Sequence, residues 1–195
     1  MILIATNNKG KLSEVREILG DGVISLAEAG IVSEPEETGL TLRENALIKA
    51  RAAYQAAQKA ALRNLSVIAD DSGLFIDALD GEPGVNSARF DVPGKRREKV
   101  LKLLSGVDER AAHFETVICY YDGVHKEFFT GRLDGIIAEK NRGEGGFGYD
   151  SIFEVNGKTL AEIHDKNNIS HRKKALEKLK IYLEKNNGLE ATSRP

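Results

Sequence analysis

The first twenty residues, MILIATNNKGKLSEVREILG, hold an apolar run, a polar turn and a helix-period segment in that order. "MILIA" is short and apolar and reads as a buried strand. Leu12, Val15, Ile18 and Leu19 recur at helical spacing, and the segment stops at Gly20, a common helix-ending residue. A strand that feeds a helix through a polar turn points to the α/β class. Later segments agree. "VISL" at 23–26 reads as a second strand. A long helix is expected over 42–63, where Leu42, Ala46, Ala50, Ala53, Ala57 and Ala60 form a stripe of small apolar side chains suited to close packing on a sheet. "SVIAD" and "LFIDAL" read as two strands, and "KRREKVLKLLSG" as a short helix ending at Gly106. Two long strand candidates, 111–121 and 124–139, meet at Asp122-Gly123, a hairpin signal. "IFEV" is a short strand, Ser170 to about Asn186 a charged amphipathic helix, and 187–195 a frayed tail. Mixing βα units with a hairpin predicts an α/β fold with a mixed sheet, as one domain over 1–195 without repeats or linkers.

Composition narrows the function classes. With 195 residues and a net charge of −2, the chain has no global basic field to attract nucleic acid. No apolar stretch approaches the ~20 residues a membrane span needs, and the polar start does not resemble a signal peptide. The single cysteine, Cys119, lies in the apolar "ETVICYY" and reads as a small buried hydrophobe in a reducing setting. The cytoplasm is therefore the expected location. His113, His125, His164 and His171 show no zinc-site spacing, and neither a G-x-S-x-G elbow nor a Walker A loop is present.

Five stretches could carry chemistry. "ATNNKGK" follows a strand and opens a helix, where backbone amides and the helix dipole favour anions; Thr6, Asn7, Asn8, Lys9, Gly10 and Lys11 could bind one, or form an ordinary polar turn. "ADDSG" ends an apolar run on two like charges. Strand alternation sends Asp70 and Asp71 to opposite sides, so they do not chelate one ion as a neighbouring pair. One could face a site while the other supports it, or Asp-Asp-Ser-Gly could simply be a turn. "EPEET" at 34–38 offers carboxylates to a Mg²⁺ site shared with Asp71, or is a solvated acidic loop. "GEGGFGYD" sets Phe147, Gly148, Tyr149 and Asp150 in a glycine-rich loop that could stack on and read a base. "DKNNISHRKK" places His171 and Arg172 in the first turn of a helix, where cations are slightly unfavourable; an anionic or polar ligand could balance them, or the segment is a charged, solvent-facing helix start.

Taken in order, "TNNKGK", "EETGLTLRENALIKARAA", "ADDSGL", "PGVNSARF", "GGFGYDSIF" and "KNNISHR" resemble the inosine triphosphate pyrophosphatase family, the RdgB-like purine nucleoside triphosphate pyrophosphatases, across residues 5 to 172. The resemblance implies Mg²⁺-dependent hydrolysis of ITP, dITP and XTP to the monophosphate and pyrophosphate, clearing deaminated purines from the nucleotide pool. It also implies a homodimer and an α/β fold whose long mixed β-sheet, flanked by helices, divides two lobes with the active site in the cleft between them. Carried over, Thr6 to Lys11 bind the triphosphate, Lys11 being the main charged contact. Glu37 and Asp71 hold Mg²⁺, and Asp71 is also the general base, with Asp70 in support. Lys49 meets the phosphates or the acids, and Ser72 touches substrate. Phe147 to Asp150 pack on and read the base, and Lys166, His171 and Arg172 close over it. Two positions depart from the family pattern: Asn86 where a tyrosine is frequent, and Ser151 where a proline is usual. The competing functions are a phosphatase releasing orthophosphate and a non-hydrolytic purine nucleotide sensor.

Overall fold

In the computed structural model, residues 1–92 and 94–192 are described, with side chains for all of these but 167 and 187–192. The opening strand–turn–helix is present: β1 (Ile2–Ile4) leads into α1 (Lys9–Leu19), which takes in Lys9–Lys11 of the stretch read as turn. Asn8 caps α1, its side-chain oxygen accepting the Gly10 and Lys11 amides at 2.9 and 3.2 Å. β2 (Val23–Ser25) follows. α2 (Leu42–Lys59) starts on a reciprocal capping box between Thr41 and Glu44 and stops before the left-handed Ala61, short of the expected residue 63.

β3 is one strand, Ser66–Ile76, and this corrects the sequence reading. "DDSG" is not a turn between two strands; it lies inside a single extended run. Gly73 has a different purpose. A Cβ there would stand 2.5 Å from the Gly84 carbonyl oxygen, so glycine is what lets β4 (Pro83–Gly84) pair against β3. Short 3₁₀ turns at 77–79 and 87–89 lead to α3 (Arg96–Leu103). β5 (Ala111–Tyr121) and β6 (Lys126–Ile137) form the expected hairpin, with Asp122 Oδ1 accepting the Val124 and His125 amides. β7 (Phe153–Val155), β8 (Lys158–Thr159) and 3₁₀ turns at 160–162 and 166–169 precede α4 (His171–Thr192). The tail expected over 187–195 is thus helical backbone to residue 192, and 193–195 lie outside the described residues.

The eight strands form one mixed sheet in the order β2-β1-β3-β5-β6-β7-β8, with β4 on β3. β1 is parallel to both β2 and β3, whereas β4, β7 and β8 pair antiparallel with their neighbours. The backbone divides into two units. The first comprises Met1–Asp71, Thr116–Gly131 and the chain from Arg172; the second Ser72–Glu115 and Arg132–His171.

In the first unit, strand alternation sorts side chains onto two faces. Leu3, Val67, Ala69 and Cys119 pack with the small-residue stripe of α2. Ile4, Ile68 and Ile118 pack with Val15 of α1 and Ala175, Leu176 and Leu179 of α4. Burial pushes the Cys119 thiol pKa up to about 12, so it stays protonated and inert. The second unit has its own core of Leu74, Ile76, Val100, Phe114, Leu133, Ile137, Ile152 and Phe153. Among the described residues no helix is long and apolar enough to cross a membrane.

Candidate active site

The last two β3 residues of the first unit follow the same alternation. Asp70 continues the face of Ile68 and turns to α1 and α4; Asp71 continues the face of Ala69 and turns to α2. Both are buried. Asp70 Oδ2 meets Lys11 Nζ at 2.8 Å and Arg172 Nε at 3.2 Å. Arg172, 3% exposed, also donates to Glu14 Oε2 at 2.5 Å. The cation in the first turn of α4 therefore has its balancing charge, and it comes from the protein: two buried carboxylates flank one guanidinium. Burial alone would raise the Asp70 pKa. Lys11, Arg172 and Lys49 outweigh it and hold this carboxyl well below the usual range. The ionised form of Asp70 is the favoured one.

Asp71 has the opposite environment. Its Oδ1 accepts from Lys49 Nζ at 2.6 Å, and Asn45 Nδ2 lies 3.5 Å from its other oxygen. Lys49 also reaches Glu37 Oε1 at 3.3 Å. Burial, seconded by the nearby Glu37, pushes Asp71 above the ordinary carboxylate value despite Lys49. Burial works to lower Lys49, but Asp70 and Asp71 outweigh it, so its pKa lies above the usual amine value. Two adjacent carboxylates thus have pKa values driven apart, the pattern that separates an electrostatic anchor from a proton acceptor.

Among the described residues no group of three or more His, Cys, Asp or Glu side chains could hold a metal alone. Glu37 and Asp71, both in contact with Lys49, nonetheless suit Mg²⁺, which takes one or two carboxylates and fills its remaining positions with water and substrate phosphate oxygens.

The N-terminal turn is more self-satisfied than the sequence suggested. The Thr6 hydroxyl accepts the Asn8 amide at 3.2 Å, Asn7 Nδ2 donates to Glu34 at 3.2 Å, and Asn8 covers the amides of Gly10 and Lys11. Lys9 is exposed and lines an outer cavity with Leu12, Ser13 and Arg16. From this stretch Lys11 reaches the buried Asp70.

The second unit holds the remaining candidates. Ser72 is half-buried in β3. Phe147 is 41% exposed, and Lys166 Nζ sits 4.4 Å from its ring centroid. Asp150 Oδ2 joins the two, accepting from Lys166 Nζ at 2.5 Å and from the Phe147 amide at 2.8 Å. A Cβ on Gly146, at φ +73°, would collide with that carboxylate, so the glycine is what admits Asp150 to the turn. Gly148 is exposed, also at positive φ.

Tyr149 departs from the expected base contact. It is 5% exposed, belongs to the core and donates its hydroxyl to the Ser87 carbonyl at 2.8 Å, so it fastens the loop from beneath. Burial pushes its phenol pKa up to about 12. His171 is buried, with its ring stacked on Phe114 at 4.9 Å. Ser151 is buried, donates to Asn141 Oδ1 at 2.8 Å and accepts from Arg97 at 3.1 Å, while Asn86 is exposed.

Two residues of the charge cluster escaped the sequence reading. Asn45 is wholly buried, and its Oδ1 accepts the Gly39 amide while its Nδ2 faces Asp71. The available signal was a polar residue on the α2 apolar stripe, four positions before Lys49. Glu14 had a weaker one: it follows Lys11 by three residues and so shares its side of α1.

Comparison with known proteins gives the family. Residues 2–182 match the Ham1 family. A dITP/XTP pyrophosphatase of Bacillus subtilis (strain 168) is 46% identical over 198 residues, covering 93% of this chain and 96% of the relative. A dITP/XTP pyrophosphatase of Caldanaerobacter subterraneus subsp. tengcongensis is 43% identical over 195 residues, covering 93% and 95%. Among solved structures, a HAM1 protein from Coxiella burnetii matches with a TM-score of 0.84 at 39% identity, covering 94% of this chain and 98% of that one. The Staphylococcus aureus Ham1 protein matches at 0.83 and 40%, covering 95% and 98%. Similar in sequence and fold over nearly its whole length, this chain belongs to the Ham1 family.

Proposed function

We propose that this protein hydrolyses non-standard purine nucleoside triphosphates (dITP, XTP and ITP) to the monophosphate and pyrophosphate. Relatives with 43–46% identity are named dITP/XTP pyrophosphatases. The structural observation that carries the reading is the divided aspartate pair: Asp70 pinned as an anion by Lys11 and Arg172, Asp71 raised by burial beside Lys49 and Glu37.

In this reading residues 1–195 act as one pyrophosphatase domain. Lys11 and the turn 6–10 take the triphosphate. Glu37 and Asp71 would hold Mg²⁺, which supplies charge neutralisation on phosphate oxygens and a more acidic water. Asp71 accepts the proton of the water that attacks the α-phosphorus. Lys11 and Lys49 stabilise charge growing on the departing pyrophosphate. Asp70 keeps Lys11 placed and charged, and Ser72 touches substrate.

At the base end, Phe147 supplies a ring face, Gly148 a close backbone approach and Tyr149 the support beneath. Asp150 orients Lys166. Lys166, with His171, offers donors to a 6-keto oxygen and leaves the 6-amino group of ATP unpaired; Arg172, the third candidate for that role, is taken up by Asp70 and Glu14. An unpaired buried polar group costs ~1–3 kcal/mol, or ~5–150-fold in discrimination. The proposed setting is the cytoplasm and the proposed assembly a homodimer, which light scattering would test.

The deciding experiment is pyrophosphate release from dITP, XTP, ITP, GTP and ATP, with and without Mg²⁺, by wild type and Asp71→Asn. Mg²⁺-dependent release from the first three, with loss of ~10²–10⁴-fold in the variant, is the expected result. Orthophosphate as the product would assign a phosphatase. Tight ITP binding by folded protein without turnover would assign a sensor.

A further inference from the structure

A cavity of about 280 Å³ in the second unit is lined by Gly94, Arg96, Arg97, Phe147 and Gly148. The chemistry above uses neither arginine. Each half-buried guanidinium is tied through one nitrogen to a neutral oxygen: Arg96 donates to the Ala88 carbonyl at 2.9 Å, and Arg97 to the Ser151 hydroxyl at 3.1 Å. Among the described residues neither is paired with a carboxylate, and Glu98, next along α3, is held by Lys95 at 3.0 Å. The two cations are adjacent, so they repel each other. They also begin a helix, where the dipole disfavours positive charge. An anion held between the two forks would remove both costs.

The lining also limits what that anion can be. With one N–H each spent on the protein, the two forks keep about eight donors, twice what a carboxylate's oxygens accept. A phosphoryl group suits the fork geometry better. The cavity falls just below the range of ligand pockets, which run from ~300 Å³ upward, and this favours a small anion over a whole nucleotide. Gly94 and Gly148, both at positive φ, have no other atom within 4 Å of where a Cβ would stand, so the lining is open at those two points.

We propose that Arg96 and Arg97 form a second anion site, for inorganic phosphate or pyrophosphate, against the Phe147–Gly148 loop. Its influence on the base end, through Phe147, rests on the function proposed above; the binding itself does not.

The test is a titration of ¹⁵N-labelled protein at fixed ionic strength, with orthophosphate and pyrophosphate in separate arms that distinguish the two sources. The expected result is saturable shifts of the Gly94 and Gly148 amides with at least one anion. In Arg96→Gln/Arg97→Gln the affinity read from those amides falls at least tenfold, while any response of Gly10, in the proposed triphosphate turn, is kept. Arg97→Lys, which keeps the charge and loses the fork, falls in between. If the double variant does not fold, Arg96→Gln alone is read the same way, with at least a threefold loss expected. Unresponsive Gly94 and Gly148 amides in wild type, or an undiminished response in the variants, would overturn the site. Failure of pyrophosphate release from ITP would sink the proposed function and leave these shifts untouched, so the two failures are distinct.

Discussion

The two units solve different problems with different materials. In the first, the candidate site is a buried lattice of charge: Asp70, Asp71 and Glu14 against Lys11, Lys49 and Arg172. In the second, it is a turn of glycines around one exposed ring, with a single ion pair between Asp150 and Lys166. Buried charges are costly unless each is matched, and the first unit matches them within itself. A group that must handle polyphosphate needs fixed charges before substrate arrives. A group that must tell one purine from another needs shape and a few directed donors.

The sharpest way to break this comparison is to unbalance the first unit. Arg172→Met takes the guanidinium away from both Glu14 and Asp70, and leaves Asp70 with Lys11. We expect a loss of ~3–5 kcal/mol in urea unfolding, the range for removing one partner of a buried pair. Lys166→Met in the second unit removes a half-buried partner and should cost less than half as much. Equal losses would mean that buried charge is not what distinguishes the first unit.

Kinetics should split the same way. Lys49→Met is expected to lower kcat for ITP by ~10² or more, because the charge it stabilises grows only in the transition state. Lys166→Met should instead raise KM by ~10-fold and reduce the ITP-to-ATP preference, with kcat within a few-fold of wild type. A pyrophosphate-release assay under both saturating and limiting ITP separates the two outcomes. A kcat collapse in Lys166→Met would place it in the chemistry and not in base recognition. A smaller test concerns the loop's fastening. Tyr149→Phe leaves the Ser87 carbonyl without its buried donor and should cost ~1–3 kcal/mol of stability while leaving the ITP preference unchanged. A changed preference would return Tyr149 to the base contact that the sequence suggested.

The sequence was most legible where local chemistry and tertiary structure agree. The strand at 111–121 was read to its end residues because Asp122-Gly123 closes it, and α1 at its far end because Gly20 ends it, though its first turn, Lys9–Lys11, was read as loop. "DDSG" failed for the opposite reason. Its local preference is a turn, but pairing with β4 and ion pairs to three separate segments hold it extended. The six ordered blocks pointed to the family and to Asp71 with Lys49. They could not show that the Arg172 fork is taken up by Asp70 and Glu14, because a glutamate on α1 looks like any solvated helix glutamate until α4 packs above it. Tyr149 is legible only in part: an aromatic in a glycine loop looks like a stacking platform, and its hydroxyl bond to Ser87, which makes it a peg, leaves no mark in the sequence.

The smallest expected effect tests whether the second unit is as insensitive to charge as the comparison requires. The His113 ring lies against Phe75, 5.0 Å between centroids and 7° from parallel. Burial lowers its pKa below the ordinary 6.5, and Arg132 pushes the same way, while Glu115, Asp134 and Asp77 oppose. The folded state therefore prefers the neutral ring. Its contribution to stability is complete above the unfolded value near 6.5 and is lost as pH falls through the lower folded value. A proton NMR titration should place the His113 midpoint below 6.5. Thermal melting of wild type should show a slight loss between pH 7.5 and 5 that His113→Phe reduces. A midpoint above 6.5 would mean that Glu115 and Asp134 dominate the ring, and that the second unit is governed by charge after all.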